Sequence, residues 1–203
     1  MRVVILTPWR TDHNRREAIY QHVRAQQETL GLPIHTADSG HTPFNICASW
    51  NQAANHPWDV ALFWGADFTL TNPTTALDAV VEAAKGHPYV FAFNTATKLT
   101  FKETTRVLDG GRVPGRKDPL PFGGVRAVNR AWWDALGGYD ERFQGWGSGD
   151  RAYVKLMQRH GGTVTRVPGR LILHRHEGRA HIPNDPYYQH QAENLRLLAE
   201  YDN

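Results

Sequence analysis

The chain has 203 residues, 40% hydrophobic and 21% charged, the composition of an ordinary globular protein long enough to bury a substantial core. A net charge of +3 and a pI near 9.1 suit anionic small ligands but fall short of a nucleic-acid-binding surface, which needs a dense basic face. The single cysteine, Cys47, excludes an internal disulfide, and no apolar run approaches a membrane span or signal segment, so a cytoplasmic location is expected.

Val3 to Leu6 is a short continuous apolar run, the mark of a buried strand, and it delivers Thr7-Pro8-Trp9-Arg10 at its C-terminal end. Residues 15–30 follow with helical periodicity, then a strand at 33–36 ends in Ala37-Asp38-Ser39-Gly40. Residues 44–54 read as a helix with Cys47 as a small core residue, and 60–64 as a strand that ends in Gly65-Ala66-Asp67. A helix over 75–84 and a strand over 89–93 continue the alternation, which predicts an α/β sandwich with a mostly parallel sheet.

Residues 95–121 break the pattern. They hold Lys98, Lys102, Arg106, Arg112, Arg116 and Lys117 with Gly110-Gly111 and three prolines, and little periodicity. A long cationic loop is expected, with a short hairpin near Asp109-Gly110, either a functional flap or an indifferent insertion. A strand at 125–128 leads into a helix capped by Asn129, carrying Trp132, Trp133 and Leu136 as packing residues and closed by Gly137-Gly138. A further helix opens at Asp150 and stops at Gly161-Gly162, followed by strands at 163–167 and 171–173 and an amphipathic helix over 185–201. The expected organisation is one domain, 1–203, with a nucleotide-binding half (1–94), a flexible basic loop (95–121) and a catalytic half (122–203).

Ligands of open α/β sheets bind beyond the carboxyl ends of the strands. Those ends carry Pro8-Trp9-Arg10, Asp38 and Asp67. Trp9 can stack on a base, Arg10 can meet a phosphate, and Asp38 can accept from a base or ribose. Asp67 can ligate a divalent cation that bridges a diphosphate, although an Asp ending a strand is also a common turn residue. His174 and His176 share one face if the strand before them continues, so they can converge on an ion or stand exposed at a strand end. Gly145-Trp146-Gly147-Ser148-Gly149-Asp150 places a carboxylate in the first turn of a helix, where the helix dipole favours its ionised form. That suits a general base, and it equally suits an Asp that only stabilises its helix.

In order, Thr7-Pro8-Trp9-Arg10, Phe44-Asn45-Ile46-Cys47-Ala48, Trp64-Gly65-Ala66-Asp67, Phe122-Gly123-Gly124-Val125, Gly138-Tyr139-Asp140, Gly145 to Asp150 and Leu173-His174 form a recognisable series. The chain resembles glycosyltransferases of the GT-A (Rossmann-like) α/β/α fold, and most closely the β-galactosyltransferase/N-acetylgalactosaminyltransferase group. The resemblance implies an inverting enzyme that moves a sugar from a nucleotide-diphosphate sugar, a UDP-sugar in this group, to an acceptor hydroxyl. It implies Asp150 as general base and a donor pocket of Pro8, Trp9, Arg10, Asp38, Phe44 and Asp67. Gly123, Gly124, Trp146 and Gly147 would meet the sugar or acceptor, and Asp67 with His174, or alternatively His176, would hold Mn²⁺ or Mg²⁺. The sequence departs from the pattern at Gly65, where the first carboxylate of Asp-x-Asp would stand, and at Gly149, where a glutamate precedes the catalytic aspartate.

Three other readings stand beside this one. A nucleotidyltransferase would need a glycine-rich loop after the first strand, and Pro8-Trp9-Arg10-Thr11-Asp12 has none. A non-catalytic nucleotide-sugar or carbohydrate-binding protein of transferase descent draws support from the two lost carboxylates. A transferase acting on a modified nucleic acid, rather than on a glycan or protein glycan, would employ the basic loop.

Overall fold

The N-terminal apolar run becomes β1 (Val3–Pro8), which pairs in parallel with β2 (Ile34–Ala37) on one side and β3 (Val60–Trp64) on the other. Every residue of β3 is buried, as a central strand covered on both faces requires. The structure is a computed structural model and describes residues 1–11, 14–145, 147–176 and 189–202. Between these strands run α1 (Asn14–Glu28) and α2 (Ile46–Ala53). The side chain of Asn45 caps α2 by accepting from Ala48 N at 3.0 Å, and its amide donates to Glu141 O at 2.8 Å. One N-cap residue thus ties the first half of the chain to the second.

After β3 come β4 (Phe68–Leu70), α3 (Thr75–Ala84), β5 (Tyr89–Phe91), β6 (Thr95–Lys98) and α4 (Phe101–Leu108). The second half supplies β7 (Val125–Asn129), α5 (Arg130–Leu136), α6 (Gly149–Arg159), β8 (Val164–Arg166), β9 (Arg170–Leu173) and α7 (Gln191–Ala199). The main sheet has the order β2-β1-β3-β7-β5-β8. It is mostly parallel, with β7 running against both neighbours, from Val60↔Asn129 to Trp64↔Val125 on one side and Tyr89↔Val128 to Phe91↔Arg126 on the other. A smaller sheet, β4-β9-β6, stands at its C-terminal edge, where His174 N donates to Asp67 O at 2.9 Å.

Residues 95–121 are not the irregular loop expected from their composition. They contain β6 and α4, and α4 opens with a capping box: Thr100 N donates to Glu103 Oε2 at 2.8 Å and Glu103 N to Thr100 Oγ1 at 3.3 Å. Arg116 forks onto Glu103 and, with the Thr100 backbone, holds its carboxyl down to about 2. Within the basic segment Arg116 is thus paired with Glu103, and its Nε also lies 3.3 Å from Asp118. The strand expected at 163–167 shortens to β8, and the helix expected over 185–201 is described from Gln191 onward, its earlier residues up to 188 lying outside the described ones. No helix of the described residues is long and apolar enough to cross a membrane.

Candidate active site

The donor-side residues gather where β1 and β2 end. Trp9 N donates to Ala37 O at 2.9 Å, which fixes the chain leaving β1 against the end of β2. Arg10 then forks onto Asp38, with Nε to Oδ2 at 2.8 Å, and also donates to His41 O at 2.7 Å. This hydrogen bonding holds the Asp38 carboxyl below the usual carboxylate range. Arg10 and Asp38, expected to meet phosphate and ribose separately, are thus partners of each other. Trp9, expected to stack on a base, stacks on Tyr20, with centroids 4.1 Å apart. Buried Phe44 lies under the guanidinium groups of Arg10 and Arg16, at 5.2 and 5.8 Å. The result is a cationic shelf on aromatic rings.

Asp67 follows the end of β3. Burial raises its pKa to about 6, against the pull of Arg16 and its own backbone N–H; the negative charge of Asp150 raises it further. The lost carboxylate at position 65 has a physical counterpart, since a Cβ on Gly65 would lie 2.7 Å from the Phe68 ring. A side chain there needs Phe68 to move. His174 is 1% exposed, and its Nε2 shares a hydrogen bond with Thr69 Oγ1 at 2.8 Å while its ring meets His22 edge-on. Burial, with a smaller push from His22, lowers its pKa to about 4, so the imidazole is neutral at neutral pH. Its buried Nδ1 has no hydrogen-bond partner among the described residues. The strand ends at Leu173, so the alternation expected to put His174 and His176 on one face has no strand to carry it.

Among the described residues no group of three or more His, Cys, Asp or Glu side chains is placed to hold a metal ion. The residues present still suit a divalent cation in part. Asp67 is a carboxylate whose ionisation is penalised without a counter-charge, and His174 is a neutral imidazole whose Nδ1 is unpartnered among the described residues. Two such ligands leave most of a shell to come from elsewhere, and the phosphates of a donor are oxygen ligands of the required kind.

A stability consequence follows from Asp67. Its folded pKa of about 6 exceeds the ordinary 3.8, so the folded state binds this proton more tightly and stability falls as pH rises through that window. Asp67→Asn is expected to stabilise the protein by about 1–2 kcal/mol at pH 7.5 in chelator, and by almost nothing near pH 3.5. Denaturant unfolding at the two pH values checks this, and equal effects at both would contradict it.

Asp150 opens α6 on a strained approach: Gly147 has φ 104° and Ser148, a non-glycine residue, has φ 71°. Trp146 lies outside the described residues. The carboxylate is 30% exposed, and its Oδ1 accepts from Arg126 at 2.7 Å and from the Tyr139 hydroxyl at 2.9 Å. Its Oδ2 is turned to Gly123, where an added Cβ would come within 2.5 Å of it. Gly124, at φ +119°, presents its missing side chain to Leu171 and Phe93, so a side chain there would press on the core. Gly65 N donates to Gly124 O at 3.2 Å, which joins the Asp67 turn to the Gly123-Gly124 floor. At position 149 a Cβ would meet Cys47 Sγ at 2.5 Å, so the glutamate of the resembling pattern is sterically opposed. Beside the carboxylate, Arg151 lies over the exposed ring of Phe122 at 5.3 Å.

Sequence reasoning named Asp150 but missed Arg126. A signal was present, because an arginine inside Val125-Arg126-Ala127-Val128, an apolar central strand, demands a buried counter-charge. Tyr139 was noticed only as part of a helix exit.

A family model described as the N-terminal domain of galactosyltransferase matches residues 117–178, the stretch that holds Gly123, Gly124, Asp150 and His174. No curated protein matches the chain. Among solved structures, the chain is similar to the catalytic domain of Drosophila beta1,4galactosyltransferase 7 in complex with xylobiose, with TM-score 0.58 and 17% identity over 94% of this chain and 79% of that one. It is similar to the mannosyltransferase PcManGT from Pyrobaculum calidifontis in complex with GDP-Man and Mn²⁺, with TM-score 0.59 and 15% identity over 99% and 68%. It is also similar to S. aureus TarS 1-349 in complex with UDP-GlcNAc, with TM-score 0.61 and 12% identity over 99% and 66%. The chain therefore has the GT-A fold, its residues 117–178 match a galactosyltransferase family model, and two of the solved proteins named here are a galactosyltransferase and a mannosyltransferase.

Proposed function

We propose that the chain is an inverting glycosyltransferase with Asp150 as general base and a nucleotide-diphosphate sugar, a UDP-sugar in the first instance, as donor. The observation that carries this reading is the asymmetry of the Asp150 carboxylate: Oδ1 is held by two donors while Oδ2 faces the Gly123 backbone at the carboxyl ends of the strands. In this reading the nucleotide lies on the shelf of Trp9, Arg10 and Phe44, and the sugar lies over Gly123. The acceptor hydroxyl gives its proton to Oδ2 as its oxygen attacks the anomeric carbon from the face opposite the diphosphate. The bond to the diphosphate breaks and leaves its electron pair on the phosphate oxygen. A divalent ion bound with Asp67 and the donor would supply charge for that leaving group. Arg10 and Arg16 supply fixed positive charge on the same side.

The acceptor is a hydroxyl compound, and Gly149 sets it apart from acceptors gripped by a carboxylate at that position. Phe122 and Arg151 offer an apolar face and a cation there instead. A thermal-shift screen of UDP- and GDP-sugars with and without Mn²⁺ tests the proposal, since a ligand of the native state raises apparent stability by mass action. One donor should stabilise the protein, more so with Mn²⁺, and should be turned over. Stabilisation with neither transfer nor hydrolysis would instead make the chain a binding protein of transferase descent, the reading favoured by the closed positions 65 and 149.

Arg10→Ala separates the parts of the donor. If Arg10 reaches the diphosphate, its charge-assisted contact is worth about 1.5–3 kcal/mol, so affinity for the nucleoside diphosphate should fall roughly tenfold or more while that for the nucleoside changes little. Titration calorimetry that finds equal losses for both ligands would confine Arg10 to its bond with Asp38.

A further inference from the structure

Arg126 is the strangest residue of the core. It sits on β7 between β3 and β5, it is 1% exposed, and four aromatic rings surround its guanidinium: Trp50 at 4.9 Å, Phe63 at 5.5 Å, Tyr139 at 5.7 Å and Tyr89 at 5.9 Å. Its Nε is buried without a hydrogen-bond partner among the described residues. A core built for stability alone has better uses for this volume, because a buried charge is costly and an apolar replacement of similar size is often neutral or stabilising. Burial by itself would lower the pKa of Arg126, but Asp150, Tyr139 and Tyr89 together outweigh it and the guanidinium stays positive.

What Arg126 does with its buried charge is specific. One nitrogen reaches both the Tyr139 hydroxyl and Asp150 Oδ1, and the Tyr139 hydroxyl itself donates to that same Oδ1. The three groups close a triangle on one oxygen of the candidate base. Tyr139 is fixed in turn, since its backbone N–H donates to Asn51 Oδ1 at 2.8 Å and the Asn51 amide returns to Tyr139 O at 2.9 Å. A carboxylate with one oxygen fixed in this way has little freedom about its last bond, and the other oxygen is aimed at Gly123.

We propose that Arg126 and Tyr139 are positioning residues that lock Asp150 Oδ1 and so present Oδ2 to the acceptor hydroxyl. The proposal rests on the reading of Asp150 as the base, but the lock itself can be tested without substrate. Other titratable groups near Asp150 among the described residues include Tyr89, Cys47 under Gly149, Asp67 and the chain neighbour Arg151. None of them donates a hydrogen bond to its carboxylate among the described residues.

The test follows the Asp150 carboxyl by ¹³C NMR, assigned with Asp150→Asn, in wild type, Tyr139→Phe, Arg126→Lys and Arg126→Met. Loss of a donor to Oδ1 changes the hydrogen bonding of the carboxylate and frees it to turn, so Tyr139→Phe should shift and broaden the Asp150 carboxyl resonance. Arg126→Met should move it further, and Arg126→Lys, which keeps the charge, should recover part of the difference. Hydrolysis of the donor selected by the thermal-shift screen should fall roughly tenfold in kcat for Tyr139→Phe with KM little changed, as expected for a base whose geometry is loosened. Should Arg126→Met fail to fold, Tyr139→Phe and Arg126→Lys decide the matter. An Asp150 carboxyl resonance unchanged in both of those variants, with Asp150→Asn inactive, would overturn the positioning role alone. Full turnover by Asp150→Asn would remove the base assignment, and the role of the lock in catalysis with it.

Discussion

Asp150→Asn is expected to reduce transfer by about a hundred- to ten-thousand-fold, the usual contribution of a positioned base, while leaving donor affinity nearly unchanged. The asparagine carbonyl can still accept from Arg126 and Tyr139, so the triangle at the start of α6 survives and the fold with it. What disappears is the basic oxygen turned to Gly123. The side chain is 30% exposed rather than sealed, so the loss is expected on kcat rather than on folding. Steady-state kinetics beside donor titrations check both halves. A variant with near-native turnover would show that Asp150 merely stabilises its helix, the alternative its sequence position leaves open.

Gly123→Ala should be nearly as damaging for a different reason. The added methyl would come within 2.5 Å of Asp150 Oδ2 and 3.5 Å of its Cγ. The carboxylate cannot simply turn aside, since Oδ1 is bonded to Arg126 and Tyr139. Either the lock breaks or the β7 approach shifts, and displacement of a reacting group by about 1 Å can cost roughly a hundredfold in rate. The backbone at 123 lies outside the left-handed region that disfavours alanine, so unfolding midpoints should move far less than activity. The neighbouring Gly124→Ala gives the contrast. Its φ of +119° and its contact with Leu171 make that change a stability lesion first. Unfolding curves and turnover measured on both variants separate the two roles, and a fully active Gly123→Ala would contradict the geometry assigned to Oδ2.

Some of this was legible in the residues and some was not. The runs Val3 to Leu6 and Val60 to Trp64 announced central strands because a strand covered on both faces has no polar side to disguise it. The same property hid the direction of β7, since an apolar run does not encode which way it is threaded. Helix α4 was lost because it is only eight residues long within a basic segment bearing glycines and prolines, although Phe101, Thr104, Val107 and Leu108 recur at helical spacing and Thr100 with Glu103 forms a capping box. Strand β4 is three residues long, too short for any period to show. At the site, the motif order led to Asp150 and Asp67, but the contacts that give them character come from residues far off in sequence. Arg126 reaches Asp150 from 24 residues upstream, and Cys47 explains Gly149 only once the two are seen in contact. Pairings of this kind depend on the register of β7 against β3, which no single segment contains.

The central claim is a direct, single displacement assisted by Asp150, and the stereochemistry of the product reports it most directly. Water can serve as the acceptor, so the natural acceptor need not be known. The donor selected by thermal shift is mixed with enzyme, and the anomeric proton of the first-formed sugar is followed by ¹H NMR before mutarotation. A single in-line displacement predicts a first product of inverted configuration, β from an α-linked donor, and Asp150→Asn should suppress its appearance. A first product that retains the donor's configuration would contradict the account.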